Sequence, residues 1–291
     1  MKKIPLLHRK KYIITHEEAT VERQLKEQPK LWIYNLILAA VIIFLIVYSF
    51  TDSQINLSRF ANVWPSFKVM INGFANPNTE FLFGLFDADG SIDKTTIPYL
   101  TMQTIAIAFV GTIVASIFAL PIAFITAKNV AGKHLSKVGE FILVVIRTFP
   151  EIILALILIR VFGIGALTGM LTIGLHSIGM LGKLFAEAIE NMDRGPIEAL
   201  DAVGANLWQK IRYAIIPQVL PDFLSMGLYR FDINVRAATI LGVVSAGGLG
   251  TPLIFASNEW NWPTLSSILI AIILMVVVVD LVSSKLRAKL V

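Results

Sequence analysis

Long apolar runs alternate with short polar ones along the chain, and the lengths of those runs set the expected architecture. Residues 31–50 carry no charge, and about 20 apolar residues are what a helix needs to cross a bilayer. A second uncharged run covers 99–127, with Pro121 as its expected kink. A third, 138–162, is interrupted by Arg147, Pro150, Glu151 and Arg160, and the turn Gly163-Ile164-Gly165 separates it from a fourth, 167–185, which is glycine-rich and carries His176 and Lys183. The fifth run, 217–238, holds Asp222, Arg230, Asp232 and Arg236, and the sixth, 263–284, is followed by Lys285, Arg287 and Lys289. None shows the short strict alternation of a transmembrane strand. The pattern predicts an all-α polytopic membrane protein with six transmembrane helices.

The polar segments between the runs give an orientation. Residues 1–30 contain Lys2, Lys3, Arg9, Lys10, Lys11, Arg23, Lys26 and Lys30, and Thr15-His16-Glu17-Glu18 has the spacing of a capping box for a helix from Glu17 to Lys26. That helix either lies on the membrane or is a frayed tail. Segment 52–98 is poor in basic residues and rich in turn signals; its Asp87, Asp89 and Asp93 lack the full calcium-loop pattern and its closing glutamate, so a solvated turn is the better reading. The stretch 242–262, with Ala246-Gly247-Gly248-Leu249-Gly250-Thr251-Pro252, is expected to be irregular. Basic residues gather before the first run, between the second and third, between the fourth and fifth, and after the sixth. The positive-inside rule then places both termini in the cytoplasm, and 52–98 and the glycine-rich stretch outside. The expected divisions are a cytoplasmic segment 1–30, a first transmembrane helix 31–51, an external loop 52–98, a core 99–285 and a cytoplasmic tail 286–291.

Composition narrows the chemistry. The 291 residues are 56% hydrophobic and 15% charged, against about 25% charged in soluble domains. The net charge of +5 reads as basic cytoplasmic loops rather than a nucleic-acid partner. With no cysteine there is no disulfide, thiolate metal site or cysteine nucleophile. Gly132-Lys133-His134 lacks the earlier glycine and the hydroxyl of a phosphate loop, the four histidines are scattered with no His-Glu-x-x-His, and Ser177 beside His176 lacks the nucleophile-elbow glycines. No catalytic residue, metal site or cofactor is expected in this chain.

The charges inside the apolar runs are the stronger signal, because an ionised side chain at the bilayer centre costs at least about 2.5–3.5 kcal/mol. Arg147 and Glu151 are spaced i, i+4, as are Asp232 and Arg236, so each pair is expected to share a helix face. Each is either a salt bridge that stabilises the bundle or a cation left to face a passing anion. Arg230 and Asp232 point to different faces, which leaves Arg230 less readily paired within its helix. His176 is either a hydrogen-bonded core residue or part of the pathway. These six residues are the candidate substrate pathway.

One polar stretch stands out, running from Glu198-Ala199-Leu200-Asp201-Ala202-Val203-Gly204 to Ile216-Pro217. Pro196 suits a helix start, Glu198 sits in the first turn where the macrodipole favours an anion, and Gly204 is expected to let another backbone come close. Pro217 is expected to end or kink the helix. A docking knob and a helix lying on the membrane are equal readings of this physics.

Glu198, Ala199, Gly204 and Pro217 resemble the EAA motif of the inner-membrane permeases of binding-protein-dependent ABC importers, with Leu200 at the usual second alanine. Arg147-Thr148-Phe149-Pro150-Glu151, the segment from Leu175-His176-Ser177 to Ala186-Glu187, the segment from Tyr229-Arg230-Phe231-Asp232 to Ala238-Thr239, and Ala246-Gly247-Gly248-Leu249-Gly250 are similar to the phosphonate-importer subfamily. The resemblance covers about 95–285. It implies a type I importer permease fold with a coupling helix at about 198–212, gripped by ABC ATPase subunits that bind the ATP and magnesium. It also implies an external substrate-binding protein, a second permease copy to complete the pathway, and a surround of membrane lipid. Gly247, Gly248 and Gly250 would stand at an outer gate. The expected cargo is phosphonate or a related phosphorus oxyanion; importers of phosphate, methionine or a cation share the architecture, and a secondary transporter or a membrane enzyme are the readings from other classes.

Overall fold

The computed structural model describes residues 31–52, 63–84, 93–244 and 246–290. They fall in two units, Met1–Ser66 and Phe67–Val291. The described elements are all helical. In the first unit, α1 (Leu31–Asp52) is apolar along its length and its described side chains are exposed, as suits a helix whose solvent is lipid. The helix expected over 17–26 lies outside the described residues.

Segment 52–98 is not simply a loop. It contains α2 (Val63–Ala75) and α3 (Thr79–Phe83). From Phe67 onward these belong to the second unit, where they are pinned to the start of α12 (Trp262–Arg287). The Ser266 hydroxyl donates to the Phe74 carbonyl at 2.9 Å, Ser267 donates to the Asn78 carbonyl at 3.0 Å, and the Asn78 amide donates to the Pro263 carbonyl at 3.3 Å. Asp93, ahead of the next helix, accepts from the amide and hydroxyl of Thr95, which holds its carboxyl below the ordinary carboxylate value. Asp87 and Asp89 lie outside the described residues.

The core of the second unit is α4 (Ile97–Thr126), α5 (Lys128–Thr148), α6 (Glu151–Phe162), α7 (Ala166–Asn191) and α10 (Ile216–Leu241). Lys128–Lys137, the basic stretch between the second and third runs, is already helical, with a kink at Gly132 where φ is +77°. The start of α5 is tied to the end of α7: the Lys128 amide donates to Glu190 at 2.8 Å and Asn129 donates to the Ile189 carbonyl at 2.7 Å. The third expected span is broken. Pro150 pushes Phe149 out of the helical region, α5 stops at Thr148, and α6 leaves at an 82° bend. Arg147 and Glu151 therefore do not share a helix face as their spacing suggests. Among the described residues, four helices are long and apolar enough to cross a membrane, or five with the bent pair counted as one span. The remaining expected span, α10, has 26 residues but contains Asp222, Arg230, Asp232 and Arg236.

Helix α7 packs against α4, α5, α6 and α10, and its small residues make this possible. A Cβ on Gly179 would lie 3.0 Å from the Leu143 carbonyl, and one on Gly169 would lie 2.5 Å from the Ala246 carbonyl. Between apolar helices in a membrane, close backbone approach is the main source of attraction. Two apolar clusters result. One gathers Ile107, Ala108, Ile173, Val235 and Leu241; the other gathers Ala115, Leu143, Leu181, Phe185, Val219 and Phe223.

The glycine-rich stretch is not a loose outer loop. Ala246, Gly248, Leu249 and Gly250 are buried, and 242–262 contains a 3₁₀ turn (Gly242–Val244) and α11 (Gly250–Asn258). The Gly248 amide donates to the Gln103 side chain at 3.0 Å and the Leu249 amide to the Thr104 hydroxyl at 2.9 Å. Gly247 and Gly248 take φ of +90° and +72°, and Gly250 packs on the Thr239 carbonyl and the Gly242 backbone. We expect Gly250→Ala to destabilise the detergent-solubilised protein by about 1–3 kcal/mol, since backbone cannot yield to the added carbon. Gly227→Ala, whose Cβ would meet nothing nearer than 3.9 Å, should change stability by under about 0.5 kcal/mol. Thermal unfolding of the two variants against the parent checks both.

Candidate functional site

The seam between the two apolar clusters is polar. On α4 it is marked by Thr112, on α7 by Ser177 and on α10 by Arg230 and Asn234, all of them buried. Arg230 is only 6% exposed. Its Nε donates to the Ser177 hydroxyl at 3.0 Å and its Nη1 to the Met180 sulfur at 2.9 Å. The carboxylate that acts on it is Glu151, at the start of α6; the two interact electrostatically, but no ion pair joins them among the described residues. His176, next to Ser177, lies beside the Phe149 backbone and within range of the Arg230 charge. Its Nδ1 is buried without a hydrogen-bond partner, as is Oε1 of Glu151.

A line of polar and sulfur-bearing side chains runs from this point along the helices, from buried Arg230 through half-buried His176, Met180, Lys183 and Met226 to exposed Glu187 and Asp222. His176, Met180, Lys183 and Glu187 recur on one face of α7, and Asp222, Met226 and Arg230 on one face of α10. The stripes end around an open cavity of about 350 Å³ lined by Glu187, Asn191, Gln218, Asp222 and Met226. Lys183 and Glu187 pair at 3.5 Å. A larger groove of about 540 Å³ lies on another face of α10, between α4 and α12, lined by Phe109, Leu224, Phe231 and Val278 among others. Its chemistry suits an acyl chain rather than an anion.

The six pathway candidates thus separate into groups. Glu151, His176 and Arg230 come together at the α5–α6 break. Arg147, the last charge before the break, is exposed, and its Cβ approaches Gly179 of α7. Asp232 and Arg236 form an ion pair with each other, with Arg236 half exposed. Thr112 carries no mark in the sequence; Ser177, Met180 and Asn234 lie within the segments that resemble the phosphonate-importer subfamily but are not singled out there as site residues.

The segment expected as one helix over 198–212 is two arms. Helix α8 (Gly195–Ala202) opens on Pro196. It closes in a Schellman turn, with Ala205 donating to the Leu200 carbonyl at 2.9 Å and Gly204 to the Asp201 carbonyl at 3.0 Å. Gly204 has φ of +76°, and nothing lies within 4 Å of where its Cβ would be. The glycine is there for the left-handed conformation, not for close approach within the chain. A capping box between Asn206 and Gln209 starts α9 (Leu207–Lys210), and Lys210 pairs with Asp201 to staple the arms. Pro217 does not end the helix. A π turn (Ile211–Ile215), with the Ile216 amide bonded to the Ile211 carbonyl, absorbs it and continues into α10. Val203, Leu207, Trp208 and Tyr213 are exposed around this bend.

Residues 119–290, which contain the bend, the α5–α6 break and both polar stripes, match the family of binding-protein-dependent transport system inner membrane components. The chain belongs to that family. It is similar to the phosphite transport system permease protein PtxC of Stutzerimonas stutzeri, with 41% identity over 187 residues, 64% of this chain and 68% of that protein. The putative phosphite transport system permease protein HtxC of the same organism is 35% identical over 242 residues, 82% of this chain and 86% of its own. A chain in the inward-facing structure of the MetNI methionine ABC transporter superposes with a TM-score of 0.59 at 21% identity, covering 67% of this chain and 96% of that one, which shows the shared fold. The protein is an all-α, multi-pass inner-membrane permease subunit of an ABC importer, with the type I permease fold; it is not an enzyme. Among the described residues no cluster of histidine and carboxylate side chains is built to hold a metal.

The Schellman geometry makes a specific prediction. Gly204→Ala forces a side chain into the left-handed region at about 1 kcal/mol. Hydrogen exchange at the Ala205 amide should rise about fivefold, whereas Gly204→Asn, which tolerates that region better, should raise it less.

Proposed function

We propose that the permease imports phosphonate or a related phosphorus oxyanion such as phosphite. One observation carries this reading: Arg230 is a buried guanidinium whose hydrogen bonds go to a hydroxyl and a thioether and to no carboxylate. A buried charge is normally paired, and a guanidinium matches the oxygens of a tetrahedral oxyanion. The names of the relatives PtxC and HtxC, both of phosphite transport systems, support the same class of cargo. Glu151 and His176 complete the contact region, and the stripe through Met180, Lys183 and Met226 is the route away from it. Methionine is a weaker alternative, since a probable D-methionine permease, MetI of Haemophilus influenzae, is only 27% identical over 191 residues.

In this reading two copies of the chain form the pathway. An external binding protein delivers the anion, and ABC ATPase subunits hold ATP and magnesium. The bend from α8 to α9 is what the ATPase grips. Its exposed Val203, Leu207 and Trp208 offer an apolar knob, the Asp201–Lys210 pair and the Gly204 turn make it rigid, and Glu198 lies in its first turn. Both termini and this bend are cytoplasmic, in keeping with the basic residues that flank the spans. The stretch with half-buried Gly247 and buried Gly248 and Gly250, held by Gln103 and Thr104, is the outer gate.

Two substitutions test the two halves separately. Arg230→Gln should reduce uptake of radiolabelled phosphite or methylphosphonate at least about a hundredfold, as expected for loss of a charged contact worth about 3 kcal/mol, while the ATPase still copurifies. Trp208→Ala with Val203→Asp should abolish ATPase copurification and leave the permease folded. Undiminished uptake in the first case sinks the anion contact; an ATPase retained in the second sinks the docking surface.

A further inference from the structure

The hydrogen bonds behind Arg230 form a chain with one direction. A guanidinium only donates, so Ser177 must accept from Nε. The Ser177 hydroxyl proton then goes to Oδ1 of Asn234 at 3.1 Å, Nδ2 of Asn234 donates to the Thr112 hydroxyl at 2.8 Å, and Thr112 donates to the Ala108 carbonyl at 2.6 Å. Ser177 and Asn234 are 0% exposed and Thr112 is 6% exposed. The chain crosses from α10 to α7, back to α10 and on to α4, in the layer that divides the two apolar clusters. Fully satisfied buried networks of this kind fix one geometry and strengthen along their length.

We propose that Ser177, Asn234 and Thr112 are positioning residues that aim Arg230 at the transported anion. The proposal rests on the reading of Arg230 as the anion contact and extends it to residues that never touch the cargo. Nε is committed to Ser177 and Nη1 reaches Met180, which sets the bearing of the guanidinium. Its Nη2 makes no bond among the described residues and is not one of the fully enclosed unpartnered atoms, so it is the nitrogen of this buried side chain that keeps some exposure. That is the atom left to meet an oxyanion. Its bearing depends on the mutual placement of α4, α7 and α10, because the chain ends on a backbone carbonyl of α4. Met180 supplies a weak acceptor that an anion oxygen can replace.

The test uses the permease with its ATPase and binding protein in proteoliposomes, supplied with phosphite, phosphate and methylphosphonate in turn. The quantity read is anion transported per ATP hydrolysed, which loss of folded protein does not move. Ser177→Ala should lower this ratio about tenfold, the factor carried by one hydrogen bond to a charged group. Ser177→Thr, which keeps the hydroxyl, should restore it. Asn234→Ala and Thr112→Val should lower it by progressively less, with ATP hydrolysis stimulated by the binding protein unchanged. Thr112→Val is nearly the same size and keeps the series informative if the larger change at Asn234 unfolds the chain. A wild-type ratio in Ser177→Ala and Thr112→Val, or transport and hydrolysis falling in parallel across the series, overturns the positioning role. Arg230→Gln, which removes the charge, separates the two claims. If it transports normally, or if the parent complex imports none of the three anions, the anion reading itself fails. If it is inactive while Ser177→Ala is normal, only the positioning chain fails.

Discussion

A guanidinium enclosed among membrane helices, bonded to a hydroxyl and a sulfur rather than to an acid, is the constraint from which the site follows. Placing Arg230 there costs energy that neither Ser177 nor Met180 returns in full. The surrounding helices bear that cost through close packing. Glycines at 169, 179 and 182 bring α7 against its neighbours, and the apolar clusters on either side of the polar seam keep α4, α7 and α10 in register. Water is scarce at that depth, so each polar group in the seam needs a partner within the protein. The Ser177–Asn234–Thr112 chain meets that need.

The backbone breaks serve the same site. Pro150 ends α5 and sends α6 off at 82°. The break brings Glu151 and the Phe149 backbone to the neighbourhood of Arg230 and His176. An unbroken helix would have put Arg147 and Glu151 on one face, free to neutralise each other. At the other end of α10, the π turn before Pro217 and the left-handed Gly204 let the chain reverse without leaving the helix that carries Arg230. The chain is continuous from the exposed bend at Val203 and Trp208, through the π turn and α10, to the buried guanidinium. In the proposed reading, that is the route by which force from an ATPase at the bend reaches Arg230.

Much of this was legible in the sequence. Run lengths gave the apolar helices, and the low charge content gave the membrane class. Arg230 stood out because Asp232 lies two residues away, on a different face; the structure pairs Asp232 with Arg236 instead. Three things were not legible. Spacing treats a helix as continuous, so Arg147 and Glu151 looked paired until Pro150 broke the helix between them. Glycine has two uses that sequence does not separate: Gly204 is a conformational stop, while Gly250 is a close contact. Asn234, Ser177 and Thr112 are ordinary residues one at a time and acquire meaning only when three helices bring them together.

The absence of native cysteine allows a direct test of whether the stripe from Arg230 past Met226 is the aqueous route. Met226 lines the polar cavity, whereas Leu224, two residues away on α10, lines the apolar groove. Single-cysteine variants Met226→Cys and Leu224→Cys, in membranes containing the complete importer, are treated with a water-soluble thiol reagent with and without phosphite and ATP. Met226→Cys should react much faster than Leu224→Cys, and turnover should change its rate. Equal, slow labelling at both positions, unaffected by phosphite and ATP, would contradict it.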